Sequence, residues 1–285
     1  MFAALVVEKR PSDGIFAKLK GILSGPKSWV EPGEACGAQY AVIHATEGWR
    51  GLDWEEIERL AMEYSRRILL PEGTAPPPGS LLRPYTTDQF DRLVLLHTAC
   101  SLIHRTRMPM YRRVLGLLDA DGSHAYMLPQ LLKYYTAVRV VTASRPLYEA
   151  ASERMMEELG APVMVDSEIS SLSDCVLVLC PSAYVPDGEC VLSCPVLCGG
   201  ALRLRRRFDC IDSLRVGLPA AAQPPEGISE HLFAGALYEL CEATSVRPVA
   251  RSLLYNRRIS SLDEAVHAVL QNVLSIENPK FIRLL

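Results

Sequence analysis

No apolar run in this chain approaches the roughly 18 residues that a membrane-spanning helix needs. The longest, such as Cys175-Val-Leu-Val-Leu-Cys180, have the length of a strand. Net charge is equally scarce. Lysine and arginine total 30 against 33 aspartates and glutamates, leaving −3. No global field therefore draws the chain to nucleic acid or to an anionic membrane, and neither is expected as a partner. Internal repeats and low-complexity tracts are missing too, which excludes a repeat array. The opening Met1-Phe-Ala-Ala-Leu-Val-Val-Glu-Lys-Arg10 has no basic segment ahead of a long apolar one, so it reads as a first strand and not as an export signal. The nine cysteines are odd in number. Without an export signal they are expected to be free thiols in a reducing, cytoplasmic setting.

What is present suffices for a large core. Of the 285 residues 49% are hydrophobic and 22% charged, the balance of an ordinary globular chain. That length suggests two domains, an N-terminal α/β lobe over 1–108 and a second domain over 109–285. In the first lobe, 2–7 and 39–45 read as strands. Ile15, Leu19 and Ile22 between them share one face of a short helix that stops near Gly25-Pro26. Asp53-Trp-Glu-Glu56 is a capping-box pattern ahead of Ile57, Leu60, Ala61, Tyr64 and Ile68, which fall on one helical face. The proline-rich stretch 71–79 is a stiff loop, and a longer helix follows over 88–104.

The second domain alternates strand and helix. Strands are expected at 114–118, 138–142, 162–165 and 175–179, with a fifth at 191–197 and another near 214–218. A helix over 147–159 stops at Gly160. Apolar strands separated by helices indicate a parallel sheet covered on both faces. Two C-terminal helices, 229–243 and one capped by Ser261-Leu-Asp-Glu264, are expected to close it. Their apolar faces leave three placements open: over the sheet, back on the N-terminal lobe, or in a homodimer seam.

The most informative stretch is Val114-Leu-Gly-Leu-Leu-Asp-Ala-Asp-Gly-Ser-His-Ala125. An apolar strand breaks there into a small acidic turn, a helix is expected over 126–135, and a strand follows. That is the start of a βαβ unit, whose first turn usually faces phosphate. Ala120-Asp-Gly122-Ser-His-Ala125 fits G-x-G-x-x-A with alanine for the first glycine, and over residues 112 to 182 the segment resembles the NAD(P)-binding Rossmann superfamily. The resemblance implies a cofactor site at Ala120, Asp121, Gly122 and Ser123, at Thr142, Ser144 and Arg145, and at Ser182. In this family an acidic residue at the end of the second strand holds the NAD ribose, so Ser144 and Arg145 there imply NADP instead. The implied activity is an NADP-linked oxidoreductase acting on a small polar metabolite in an interdomain cleft. Asp119 and Asp121 depart from the pattern, because they set carboxylates where a pyrophosphate would approach.

Two other readings stay open. Leu117-Leu-Asp119-Ala-Asp121-Gly-Ser123 resembles the D-x-D-G-[ST] opening of haloacid-dehalogenase-like phosphatases. That resemblance implies Asp119 as nucleophile, Asp121 as acid/base, Mg²⁺ to screen charge, and Thr142 or Ser144 on the phosphate. Against it, the segment after Asp121 is short and no lysine occurs between Lys133 and Lys280. Alternatively the turn caps backbone with its own side chains, and the chain is a non-catalytic Rossmann-like protein that binds another ligand or partner.

Cys190, Cys194 and Cys198, spaced by four, are expected to be core packing and not a metal site, since C-x₃-C-x₃-C is not a zinc-knuckle spacing. His97, Cys100 and His104 fall on one helical face, with Cys100 expected to pack inward. Arg203, Arg205, Arg206 and Arg207 read as a solvated face. No resident metal is expected. Ligands of such a fold bind beyond the C-terminal strand ends, near Ala120 to Ser123, Thr142 to Arg145, Asp166 and Pro181-Ser182.

Overall fold

The computed structural model describes residues 1–8, 28–48, 51–64, 67–184, 192–199, 209–240 and 247–277. The expected helix carrying Ile15, Leu19 and Ile22 lies outside the described residues, as do Cys190, Cys241 and the arginines at 203–207. Helices α1 (Trp54–Ala61), α2 (Asp88–Arg105), α3 (Leu128–Leu131), α4 (Arg145–Leu159), α5 (Glu230–Leu240) and α6 (Leu262–Glu277) accompany two sheets. The chain forms two compact units, residues 1–90 with 216–247, and residues 91–215 with 248–285.

The first unit holds strands β1 (Ala3–Glu8), β2 (Ser28–Ala35), β3 (Ala38–Thr46) and β4 (Ile68–Leu69), in the order β2-β3-β1-β4. Strand β1 is parallel to β3 and β4, while β2 and β3 form a hairpin. Its two turn residues, Cys36 and Gly37, both have positive φ, as a tight hairpin of this hand requires. Asp53 caps α1 by accepting the Glu56 N–H at 3.2 Å. Ile57 and Ala61 of α1 pack with Leu5 and Ile43. The expected helical face ends there, because Ile68 pairs in β4 with Ala3 of β1. Phe233 of α5 is fully buried and meets the rings of Phe2 and Tyr40 edge-on at 6.0 and 5.3 Å.

The second unit carries β5 (Val114–Leu118), β6 (Ala137–Val141), β7 (Val163–Asp166), β8 (Leu177–Cys180), β9 (Val196–Cys198), β10 (Cys210–Arg215), β11 (Ser252–Tyr255) and β12 (Arg258–Ser261). Their order is β12-β11-β10-β9-β8-β5-β6-β7. From β7 to β10 every neighbouring pair is parallel. With β5 counted as the first strand, this is the 3-2-1-4-5-6 order of the Rossmann-like α/β fold, and the order reverses between β5 and β8. A β11–β12 hairpin extends it antiparallel, turning on Asn256 and Arg257 at φ 49 and 66.

Alternation along the strands buries both faces. Leu115, Leu117, Val138, Val140, Leu177 and Leu179 join Leu95, Ala99 and Cys100 of α2 and Ala265, Val266 and Val269 of α6 in one cluster. Leu118, Val141, Val178, Cys180 and Val196 join a second. Of the two C-terminal helices, α6 covers this sheet and α5 belongs to the first unit. The capping box of α6 forms as expected, with Ser261 N–H on Glu264 at 2.9 Å and Glu264 N–H on Ser261 Oγ at 3.3 Å.

Three further expected elements differ. The helix over 126–135 shrinks to a 3₁₀ turn at Ala125–Met127 and the single turn of α3. Pro129 lacks an N–H and would clash with the carbonyl four residues back in a regular helix, so the turn before it tightens. The strand near 214–218 is β10, which ends at Arg215 after a register shift at Asp212 and a positive φ at Ser213. The fifth strand is confined to β9, and Val191 lies outside the described residues.

Candidate functional site

The end of β5 is extended by one bond, from Asp119 N–H to Val141 O at 3.1 Å, which sets the Asp119 side chain in the interior. Its carboxylate is fully buried. A buried carboxylate must find donors, and three arrive. His124 N–H donates to Oδ2 at 2.9 Å, the Tyr148 hydroxyl donates to Oδ2 at 2.6 Å, and His124 Nδ1 lies 3.0 Å from Oδ1. Burial and the bond to Asp119 push the Tyr148 phenol far above its ordinary range. In the neutral tautomer with its proton on Nδ1, facing the carboxylate, Nε2 is an acceptor. Ser123 Oγ is 2.9 Å from the same Nδ1, and Ser182 Oγ is 3.5 Å from Nε2.

The turn between Asp119 and His124 is held from within. Asp121 Oδ1 accepts the Ser123 N–H at 3.1 Å, an Asx turn, and the Ser123 hydroxyl and N–H hold the Asp121 carboxyl below its usual value. Gly122 sits at φ +79, and a Cβ there would lie 2.9 Å from Leu147 Cδ1 and 3.1 Å from Ser144 Cβ. The left-handed conformation favours glycine, and an added methyl would press on Ser144 at the start of α4 and turn the Leu147 side chain aside.

The end of β6 closes on the same turn. Ala143 N–H donates to Ala120 O at 3.1 Å, Thr142 Oγ1 lies 3.4 Å from that oxygen, and Ser144 N–H donates to Thr142 Oγ1 at 3.0 Å. Ala120, Asp121, Gly122, Ser123, Thr142 and Ser144 thus converge, and Ser182 joins them through His124. Arg145, the first residue of α4, points its half-exposed guanidinium to Glu149 at 3.7 Å. Asp166, at the end of β7, has its carboxyl held low chiefly by the N–H groups of Glu168 and Ser167.

The fingerprint gives His124 no role, and nothing in the motif marks Tyr148. Tyr148, Ala151 and Met155 form the buried stripe of α4, which a 3-4 spacing signals. A tyrosine in that stripe needs a polar partner for its hydroxyl.

Asp119, Asp121 and His124 also present ligand atoms within 4.8 Å of one another, the one such grouping among the described residues. Hydrogen bonds already engage all three side chains. Cys194 and Cys198 are buried in the second core cluster, and burial pushes the Cys175, Cys180 and Cys194 thiols up to about 12. Cys100 is buried with its thiol likewise pushed up to about 12, while His104 is exposed and edge-on to Tyr134.

Among the described residues no helix is long and apolar enough to cross a membrane. No family model matches the sequence, and no curated protein matches it. Similar solved structures include L-tryptophan dehydrogenase from Nostoc punctiforme, at 13% identity and TM-score 0.34, covering 96% of this chain and 80% of that one. Another is Thermococcus litoralis Δ1-pyrroline-2-carboxylate reductase in complex with NADH and L-proline, at 11% identity and TM-score 0.27. That match covers 44% of this chain and only 41% of the reductase. The strand order of the sheet itself defines the fold.

Proposed function

We propose that this chain is a Rossmann-like protein that takes a small polar ligand at the ends of β5, β6 and β8, and that the dinucleotide pose usual for the fold is closed. One observation carries the reading. The Ser123 and His124 N–H groups, which a pyrophosphate would need, are donated to the chain's own Asp121 and Asp119 carboxylates. A diphosphate would have to displace both carboxylates and then lie beside them, which Coulomb repulsion opposes. The same bonds oppose a phosphatase, because a nucleophilic Asp119 would have to shed the hydrogen bonds on both its oxygens.

A second reading, an NADP-linked oxidoreductase acting on a small polar metabolite, is favoured by a different observation. Ser144 and Arg145, in place of an acidic residue, follow β6 in a sheet of dinucleotide-binding order. A thermal-shift screen with NADP, NAD, S-adenosylmethionine, and Mg²⁺ with phosphate separates the two, since any ligand of the folded state raises the melting temperature. We expect no gain with the dinucleotides. A gain of several degrees with NADP, lost in Arg145→Ala, would overturn the first reading in favour of the second.

A further inference from the structure

The reversal between β5 and β8 is where ligands of this fold enter, and it holds three side chains in sequence. Asp119, buried after β5, faces His124 Nδ1 at 3.0 Å, and His124 Nε2 faces Ser182 Oγ at 3.5 Å just after β8. Asp119 is itself fixed by the His124 N–H and the Tyr148 hydroxyl. The imidazole is buried, whereas Ser182 is only partly buried. A buried carboxylate orients a buried imidazole, which presents a bare nitrogen to a serine that solvent reaches. Those are the three roles of an acyl-transfer triad, which geometry and not chain order defines.

We propose that Ser182 is a nucleophile toward acyl esters or thioesters, with His124 as its general base and Asp119 as a positioning residue. This rests on reading the same edge as the ligand site. In the first step Ser182 Oγ bonds to the acyl carbon and its proton passes to His124 Nε2. The ester C–O or thioester C–S bond then breaks, and the leaving alcohol or thiol takes that proton. Water, deprotonated by His124, hydrolyses the acyl-serine and restores both residues. The 3.5 Å separation is long for a hydrogen bond, but such contacts tighten when substrate arrives. His124 Nδ1 carries the proton in this scheme, since its neighbours there are a carboxylate and the Ser123 hydroxyl, both able to accept.

A fluorophosphonate tests this without knowledge of the substrate. Ser182 Oγ would bond to phosphorus, fluoride would leave, and the serine proton would pass through His124 to solvent. Folded protein is incubated with the probe and the adduct is located by peptide mass spectrometry. We expect about one adduct per chain, on Ser182, absent from Ser182→Ala and from protein unfolded in urea. His124→Gln, checked for folding by its melting curve, should slow labelling by about 100-fold or more. Should that variant fail to fold, the wild-type, Ser182→Ala and urea arms still decide. Absence of a Ser182 adduct in the folded wild type would overturn the proposal, as would labelling that survives urea. A metabolite that stabilises the protein while Ser182 stays unlabelled would leave the ligand site standing and remove the triad.

Discussion

The Tyr148 hydroxyl donates to Asp119 Oδ2 at 2.6 Å, tying the first turns of α4 to the end of β5. The bond lies inside the core, with Tyr148 fully buried. Hydrogen bonds to a charged group contribute about 1.5–3 kcal/mol each. Tyr148→Phe keeps the ring and deletes only the donor, so urea unfolding should report a loss of about 2 kcal/mol. An unchanged midpoint and slope would mean that the contact contributes nothing.

Asp119→Ala should cost more, about 3 kcal/mol or above, because it strands the His124 N–H and the Tyr148 hydroxyl and removes the partner of His124 Nδ1. The double variant with Tyr148→Phe should cost less than the two single losses added together, since they share one bond. Simple additivity in that cycle would contradict the hydrogen bond.

Gly122→Ala puts a methyl 2.9 Å from Leu147 and imposes φ +79 on a residue with a Cβ. Strain of about 1–3 kcal/mol is expected, seen as a lower melting temperature. Gly160→Ala, where φ is +61 but nothing lies within 4 Å of the added methyl, should cost less. Equal losses at the two positions would show that the approach of α4 to the turn plays no part.

Burial holds the Tyr135 and Tyr148 phenols well above their ordinary value near 10. It also pushes the Cys100, Cys175, Cys180 and Cys194 thiols up to about 12. The unfolded chain releases these protons earlier, near pH 8.5 for thiols and near pH 10 for phenols. Above those values it binds fewer protons than the folded chain, so the slope of stability with pH is negative. This contribution is whole below about pH 8.5 and is lost as pH rises toward 12. Urea melts across that window should show the decline, and native protein near pH 8 should leave those four thiols unreacted with an alkylating agent. Rapid alkylation of Cys180 in folded protein would contradict its burial.

Much of the parallel sheet was legible because its strands are short apolar runs between helix signals. The sequence marks Val114–Leu118 to the residue, and it marks the end of α4 at Gly160, which adopts the left-handed conformation. The β2–β3 and β11–β12 hairpins were not read. Pro32 interrupts β2, and Ile259 in β12 is exposed, so neither shows a buried alternation. The return of 216–247 to the first unit depends on Phe233 meeting Phe2 and Tyr40, a long-range choice that local pattern does not encode. The turn at Asp119 was placed correctly, yet its chemistry was not. The inward hold on Asp119 includes Tyr148, and the imidazole beside it faces Ser182, residues that lie 29 and 63 positions further along the chain.

Backbone amide resonances of Ser123 and His124 during an NADPH titration measure most directly whether the turn can take a pyrophosphate. Because Asp121 and Asp119 already hold those two N–H groups, both resonances should stay in place up to millimolar nucleotide. Saturable shifts of both, with an affinity that Arg145→Ala weakens, would mean that the carboxylates yield to phosphate and that the site is a nucleotide site after all.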